Sequence, residues 1–307
     1  MTPRTTSRAL RSDEDWWRIR DFILETCQIT PVGFVWENRR WEGLRFHRER
    51  PVPVRRLREV VRIWESSGRI VGASHPEDRG EVHLQVHPDF RHLESDMFAW
   101  AEERLSLPGK DGRGKTITAF AFDYDSKRKW VLADRGWTGL ESGGMARHLR
   151  LGDQHLETTP HINGYILRST RPGDRDIAQR MADVINAGFN TDIHSATEIH
   201  TFMTKSPTFS HDLNLVAEAS DGTFAAHVGA TYDERNRRGI IEPVCTDPRH
   251  RRRGLARALI LEAFQRFKDL GATDVIVDTG DDAAANGFYE SAGFTEAYRF
   301  TAWRKAW

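Results

Sequence analysis

Cys245-Thr246-Asp247-Pro248-Arg249-His250-Arg251-Arg252-Arg253-Gly254-Leu255-Ala256 joins a short apolar strand, Ile240–Cys245, to a long amphipathic helix. Asp247-Pro248 ends the strand, because proline cannot continue a ladder. Beyond the turn, Leu255, Leu259, Ala263, Phe267 and Leu270 fall on one helical stripe, and Gly271 stops it. A strand-to-helix junction leaves several backbone N–H groups unpaired, and the helix dipole adds partial positive charge. Gly254 lets the backbone approach an anion closely, Leu255 and Ala256 open the helix without crowding, and Arg251, Arg252 and Arg253 add fixed charge. A pyrophosphate suits this turn. A basic cluster before a helix is also what a solvated surface looks like, so the surrounding elements must decide.

Working outward, the residues before and after this turn read as strand 164–168, a helix opened by Pro172-Gly173-Asp174 and ended by Gly188, and a second helix from Ser195. Glu198, three residues on, gives that helix the form of a capping box. Strands 213–219 and 223–231 form a hairpin around Ser220-Asp221-Gly222; strand 275–277, helix 283–291 and strand 298–303 follow. The first half repeats the order more faintly, with helices 16–26 and 97–105 and strands 82–86 and 116–122. His87-Pro88 stands where Asp247-Pro248 does, and Gly136-Trp137 where Gly293-Phe294 does. Both pairs recur at an offset of about 160 residues, which reads as an internal duplication. The join is expected near 154–160, giving domains 1–157 and 158–307.

The 307 residues include 38% hydrophobic and 29% charged side chains, enough apolar material for a core and too much for a disordered chain. No apolar run approaches a membrane span and no signal peptide opens the chain. Forty-five basic side chains balance forty-five acidic ones, so nothing advertises nucleic acid or anionic lipid. Cys27 and Cys245 read as free thiols, and the chain as cytoplasmic. His83, His87 and His92 lack the paired short spacings of a zinc site, and no metal is expected.

The Pro-Arg-x-Arg-x-x-Gly-x-Ala run of 248–256 resembles the acetyl-CoA motif of the GCN5-related N-acetyltransferases (GNAT), written Gln/Arg-x-x-Gly-x-Gly/Ala. Downstream, Ala285-Asn286-Gly287-Phe288-Tyr289-Glu290-Ser291-Ala292-Gly293-Phe294 is similar to the family's Asn-x-x-Tyr-Glu-x-x-Gly-Phe stretch. The resemblance covers residues 160–307, and residues 1–158 only in element order, like tandem members such as mycothiol synthase and antibiotic-modifying enzymes. It implies an α/β fold of two tandem GNAT-like domains, each a mixed, mostly antiparallel sheet flanked by helices. The implied activity is transfer of acetyl from acetyl-CoA to a primary amine of a small molecule, by direct attack in a ternary complex. A peptide acceptor or a silent acyl-CoA-binding regulator are the alternatives. By the same resemblance, Tyr289 is the candidate acid, and Asn286 holds the pantetheine arm or the helix terminus. Val244 and Thr246 flank the cofactor on the strand before the turn. Glu242 shares their face by two-residue alternation and is either base, ammonium holder or an ion-pair partner of an arginine. In the first half Glu94 and Asp96 fall opposite Gly254 and Ala256, and Lys129 and Leu132 opposite Asn286 and Tyr289, so that copy is expected to have lost acetyl-CoA. Acceptor contacts are expected from 189–195 and 232–238. Trp16, Trp17, Trp36, Trp41 and Trp64 are either core or a wall of the acceptor pocket, and a large apolar interface is expected to bury the tail aromatics Phe300, Trp303 and Trp307.

Overall fold

The computed structural model describes residues 4–109, 112–152, 156–174 and 176–307. The first half runs β1 (Thr5–Ala9), α1 (Asp13–Cys27), α2 (Asn38–Phe46), α3 (Val54–Leu57), β2 (Arg62–Ser66), β3 (Arg69–His75), β4 (Glu81–Val86), α4 (Glu94–Arg104), β5 (Leu107–Pro108), β6 (Lys115–Phe122), α5 (Ser126–Asp134) and β7 (Thr138–Arg150). The second runs β8 (Tyr165–Ser169), α6 (Ile177–Phe189), α7 (Ala196–Lys205), β9 (Asn214–Ala219), β10 (Phe224–Asp233), β11 (Arg238–Thr246), α8 (Leu255–Asp269), β12 (Asp274–Gly280), α9 (Ala283–Ser291) and β13 (Glu296–Ala306). No helix among the described residues is long and apolar enough to cross a membrane.

The strands form one mixed sheet in the order β1-β2-β3-β4-β6-β13-β7-β12-β11-β10-β9-β8, with β5 against β6. Each half follows the same path, and each lends its last strand to the other. β13 lies between β6 and β7 of the first half; β7 lies between β12 and β13 of the second. The expected join is free of helix and strand over its described part, Gln154 lying outside the described residues. The two repeats are separate in sequence and interlocked in space.

Detail confirms the repeat. Asp125 caps α5 by accepting from Arg128 N, and Asp282 caps α9 by accepting from Ala285 N. Gly136 and Gly293 follow these helices with φ of 80° and 106°, a conformation that suits glycine. The next N–H, of buried Trp137 or Phe294, bonds back to Leu132 O or Tyr289 O.

The interface between halves departs from expectation. Trp303 packs half-buried against the first half's core and Phe300 meets Phe120 and Phe122, but Trp307 is exposed. Backbone ladders and ions carry much of the seam. His148 on β7 bonds Asp274 of β12 at 2.7 Å and Glu296 of β13 at 2.8 Å. Glu42 of α2, fully buried, accepts from Arg20 Nε at 2.6 Å, Ser206 Oγ at 2.7 Å, Thr208 Oγ1 at 2.8 Å and Thr208 N at 3.1 Å. Gly188 does not stop α6; it lies inside the helix, where a Cβ would come 2.6 Å from Cys245 Cβ, so its smallness sets the helix against β11. Leu270 falls off the buried stripe of α8 and is half exposed.

Candidate active site

β11 and β12 pair in parallel only from Arg238 to Ile240 and then diverge, leaving Val244 and Thr246 beside a gap. The chain turns at Arg252 (φ 62°) and Gly254 (φ 79°) into α8, whose first intrahelical bond is Ala258 N to Gly254 O. The N–H groups of Arg253, Gly254, Leu255, Ala256 and Arg257 find no backbone acceptor among the described residues. Here the gap widens to a cavity of about 600 Å³ lined by Val244, Thr246, every residue from His250 to Arg257, and Tyr289. Arg251 bonds only the carbonyls of Thr246 and Gly188, and Arg251, Arg252 and Arg253 form no ion pair among the described residues. A ring of free donors and unpaired guanidiniums at a helix N-terminus fits the pyrophosphate of a coenzyme A thioester.

Tyr289 is nine-tenths buried against Phe288 and Phe294, and its hydroxyl meets no hydrogen-bond partner among the described residues. It therefore caps no backbone group. Burial first, then Glu242 and Cys245, raise the phenol above its ordinary value. Along with Val244 and Ala285, Tyr289 lines both the cofactor cavity and a neighbouring chamber of about 590 Å³. It alone of the three carries a polar side chain.

That chamber lies between the halves. Glu242 enters it from β11, Asp278 and Thr279 from β12, and Arg39, Arg40, His47 and Glu77 from the first half. Arg39 Nη1 holds Glu242 Oε2 at 2.7 Å. Burial would push Glu242 up, but Arg39, Arg40 and His47 outweigh it and hold the carboxyl below its ordinary value. Asp278 goes the other way. Although its side chain touches the solvent of the cleft, burial and then the carboxylate of Glu37 raise it to about 8, against the pull of Arg40. Arg40 donates to Glu77 Oε1 at 2.7 Å and to Asp278 Oδ2 at 3.3 Å. At the rim, Glu198 of α7 binds His47 Nδ1 at 2.5 Å and His194 Nδ1 at 3.3 Å, joining the two halves.

Several expectations need correction. Asn286 is not free for a cofactor: Nδ2 donates to Gly280 O and Asp282 O, and Oδ1 accepts from Arg147 of β7. It braces α9 to the borrowed strand. The turn at 232–238 packs on α1, through Asn236 to Leu24 O and Gln28 to Arg235 O, and does not reach the chamber. Phe189 and His194 do line it, as expected. Trp16 and Trp41 stack in the core at 4.0 Å and Trp64 is buried; Trp36 alone of the five faces a cavity. His83, His87 and His92 are not brought together as ligands: His83 Nδ1 accepts from Trp36 Nε1, His87 caps the turn before α4, and His92 is exposed. Burial pushes the thiols of Cys27 and Cys245 up to about 12, which leaves both inert. Asp278, Arg39 and Arg40 had no local signal; only the meeting of the halves makes them a site.

The equivalent cleft of the first half is filled by its own chain. β4 and β6 pair only at Glu81–Thr118 and Val82–Ala119. Residues 32–36 occupy the opening, with Trp36 N bonded to Gln85 Oε1 and the Phe34 ring under the guanidiniums of Arg91 and Arg128. Glu94, fully buried, takes the anion's place, paired with Arg91 at 2.6 Å and Arg128 at 3.3 Å. Asp96, by contrast, points into solvent.

Residues 188–294 match the acetyltransferase (GNAT) family. No curated protein matches the sequence. Among solved structures, the fold is similar to a GCN5-related N-acetyltransferase from Sphaerobacter thermophilus, at 20% identity and a TM-score of 0.65 over 98% of this chain and 95% of that one. A tandem GNAT protein from the clavulanic acid biosynthesis pathway aligns at 18% identity and a TM-score of 0.66, over 99% of this chain and 98% of that one. A GNAT-family acetyltransferase from Colwellia psychrerythraea aligns at 14% identity and 0.61, over 97% and 99%.

Proposed function

We propose that this chain, a tandem GNAT fold whose residues 188–294 match the GNAT family, is an N-acetyltransferase that moves the acetyl group of acetyl-CoA to the primary amine of a small molecule, with both substrates bound at once. The observation that carries the reading is Tyr289, an unpartnered hydroxyl at the boundary between an anion-binding cavity and a carboxylate-lined chamber. Acetyl-CoA supplies the activated thioester; the chain must hold it, deliver a neutral amine and receive the protons. The α8 turn holds the pyrophosphate through Arg251–Arg253 and the free N–H groups. Glu242, charged throughout the neutral range, draws the ammonium form of the acceptor in. Asp278, raised to about 8, is the better base and takes the proton that turns the ammonium into the attacking amine; the second proton leaves the nitrogen to water as the bond to the acetyl carbon forms. As the carbon–sulfur bond breaks, Tyr289 donates to the sulfur. A phenol held above its ordinary value gives a hydrogen bond more readily than the proton itself, so water completes the transfer.

A silent acyl-CoA sensor has no use for this hydroxyl, and a chamber closed on one side by α2 suits a small acceptor better than a protein segment. Incubating the protein with acetyl-CoA and panels of small amines and peptides, with release of free thiol as readout, tests the reading. Turnover with small amines is expected. Turnover only with peptides makes the acceptor a protein, and binding without turnover makes the chain a sensor.

A further inference from the structure

Beside the chamber lies an annex of about 280 Å³ that shares Arg40, Glu77, Glu242, Asp278 and Thr279 with it, adds Glu37, and does not reach Tyr289. Its charged walls are Glu37, Glu77, Glu242 and Asp278 against Arg40 alone. Arg40 is divided between Glu77 and Asp278, and Arg39 answers Glu242 from the chamber side. Glu37, on the loop before α2, forms no ion pair among the described residues. Four carboxylates thus face two guanidiniums in a cleft one step past the thioester. The crowding registers at Asp278, raised by burial and then by Glu37, and at Glu37, raised by burial and then by Glu242 against the pull of Arg40.

An acceptor amine cannot relieve this by itself, because it must be neutral when it attacks. Its proton neutralises one carboxylate, and the annex still carries excess negative charge. Taking the proposed acetyl transfer as given, we propose that the acceptor is a diamine: one amine reacts beside Tyr289, and a second, non-reacting ammonium sits in the annex against Glu37 and Glu77. The first half is then the selectivity element. It supplies Glu37 and Glu77, so the copy that lost its cofactor site reads the far end of the substrate. An acceptor ending in a carboxylate meets repulsion there, and one ending in a methyl leaves the carboxylates unmatched.

The test measures binding apart from turnover. The full chain, saturated with coenzyme A, is titrated calorimetrically with α,ω-diamines of about three to eight carbons, with the alkylamine of each length and with the matching ω-amino acid. At the length that spans chamber and annex, the diamine should bind at least about tenfold tighter than the alkylamine, and the amino acid weakest. Added salt should shrink the preference. Glu37→Gln should bring the diamine-to-alkylamine ratio down toward one. Equal binding of diamine and alkylamine at every length, or a preference for the amino acid, overturns the proposal whether or not the variant folds. The same amines with acetyl-CoA, scored by free thiol, report separately on acetyl transfer. Tight diamine binding without thiol release would sink the transferase reading and leave the annex assignment standing.

Discussion

At Tyr289 the ring is fixed by Phe288 and Phe294 while the hydroxyl faces open space, and this division between packing and chemistry makes a clean probe. Tyr289→Phe keeps the ring. It should lower kcat by about a hundredfold, the low end of acid–base effects, with acetyl-CoA affinity unchanged in titration. A loss below about threefold would mean that solvent serves the leaving sulfur unaided. The two chamber carboxylates separate by pH. Asp278 must lose its proton to act as base, so kcat/KM should rise as pH increases through about 8, and Asp278→Asn should abolish that limb. Glu242 lies below the carboxylate range and titrates too low to shape the limb, so Glu242→Gln should raise KM for the amine and leave the pH profile in place. Gly254 and the arginine turn were legible because they lie in a contiguous run whose backbone geometry the residues dictate, whereas Tyr289 was legible through its resemblance to the family's motif. Asp278 was not. Val277-Asp278-Thr279 looks like any strand end, and its carboxyl gains meaning only from Glu37 and Arg40, far away in the chain.

The elements themselves were largely readable, since 3.6- and two-residue periods record which face each one buries. What the periods cannot record is the sheet into which a strand goes. β7 is not legible as a strand at all, because Gly139, Gly143 and Gly144 interrupt it and its burial does not alternate, so nothing in the sequence announces its exchange with β13. Of the two roles expected of Asn286, the structure shows the helix terminus, through Gly280 O and Asp282 O, and the borrowed β7 adds Arg147 against its amide oxygen. Among the helices, α2 matters most to the site, because Arg39, Arg40 and His47 ride on it or at its end. Glu42 fixes its position through four hydrogen bonds, three of them into the second half. Glu42→Ala removes the carboxylate that Arg20, Ser206 and Thr208 share and leaves Thr208 N without its acceptor, at a cost of about 3 kcal/mol. Thermal unfolding should shift down accordingly. In whatever remains folded, amine KM should worsen while acetyl-CoA affinity holds, because the α8 turn does not depend on α2. Equal loss of both affinities would mean that α2 supports the whole fold and not the acceptor chamber in particular.

On the scale of the whole molecule, duplication and strand exchange explain why a copy without a cofactor site persists. Residues 158–307 alone would lack β6 and β7, leaving one edge of β12 and both edges of β13 unpaired and part of the core uncovered, because Leu149 and Leu151 belong to it. That fragment should aggregate or melt well below the full chain, and co-expression with residues 1–157 should rescue it. A monomeric fragment with normal melting and full acetyl transfer would show that the first half supplies neither stability nor chamber. The central claim is narrower: one half binds acetyl-CoA and the other has closed its own cleft with Phe34 and Glu94 to become a wall for the acceptor. Calorimetric titration of the full chain with acetyl-CoA, beside a Gly254→Glu variant, tests it most directly. The account predicts one site per chain, lost when a carboxylate stands at residue 254 as Glu94 does in the first half; two sites per chain, or unchanged affinity in the variant, would contradict it.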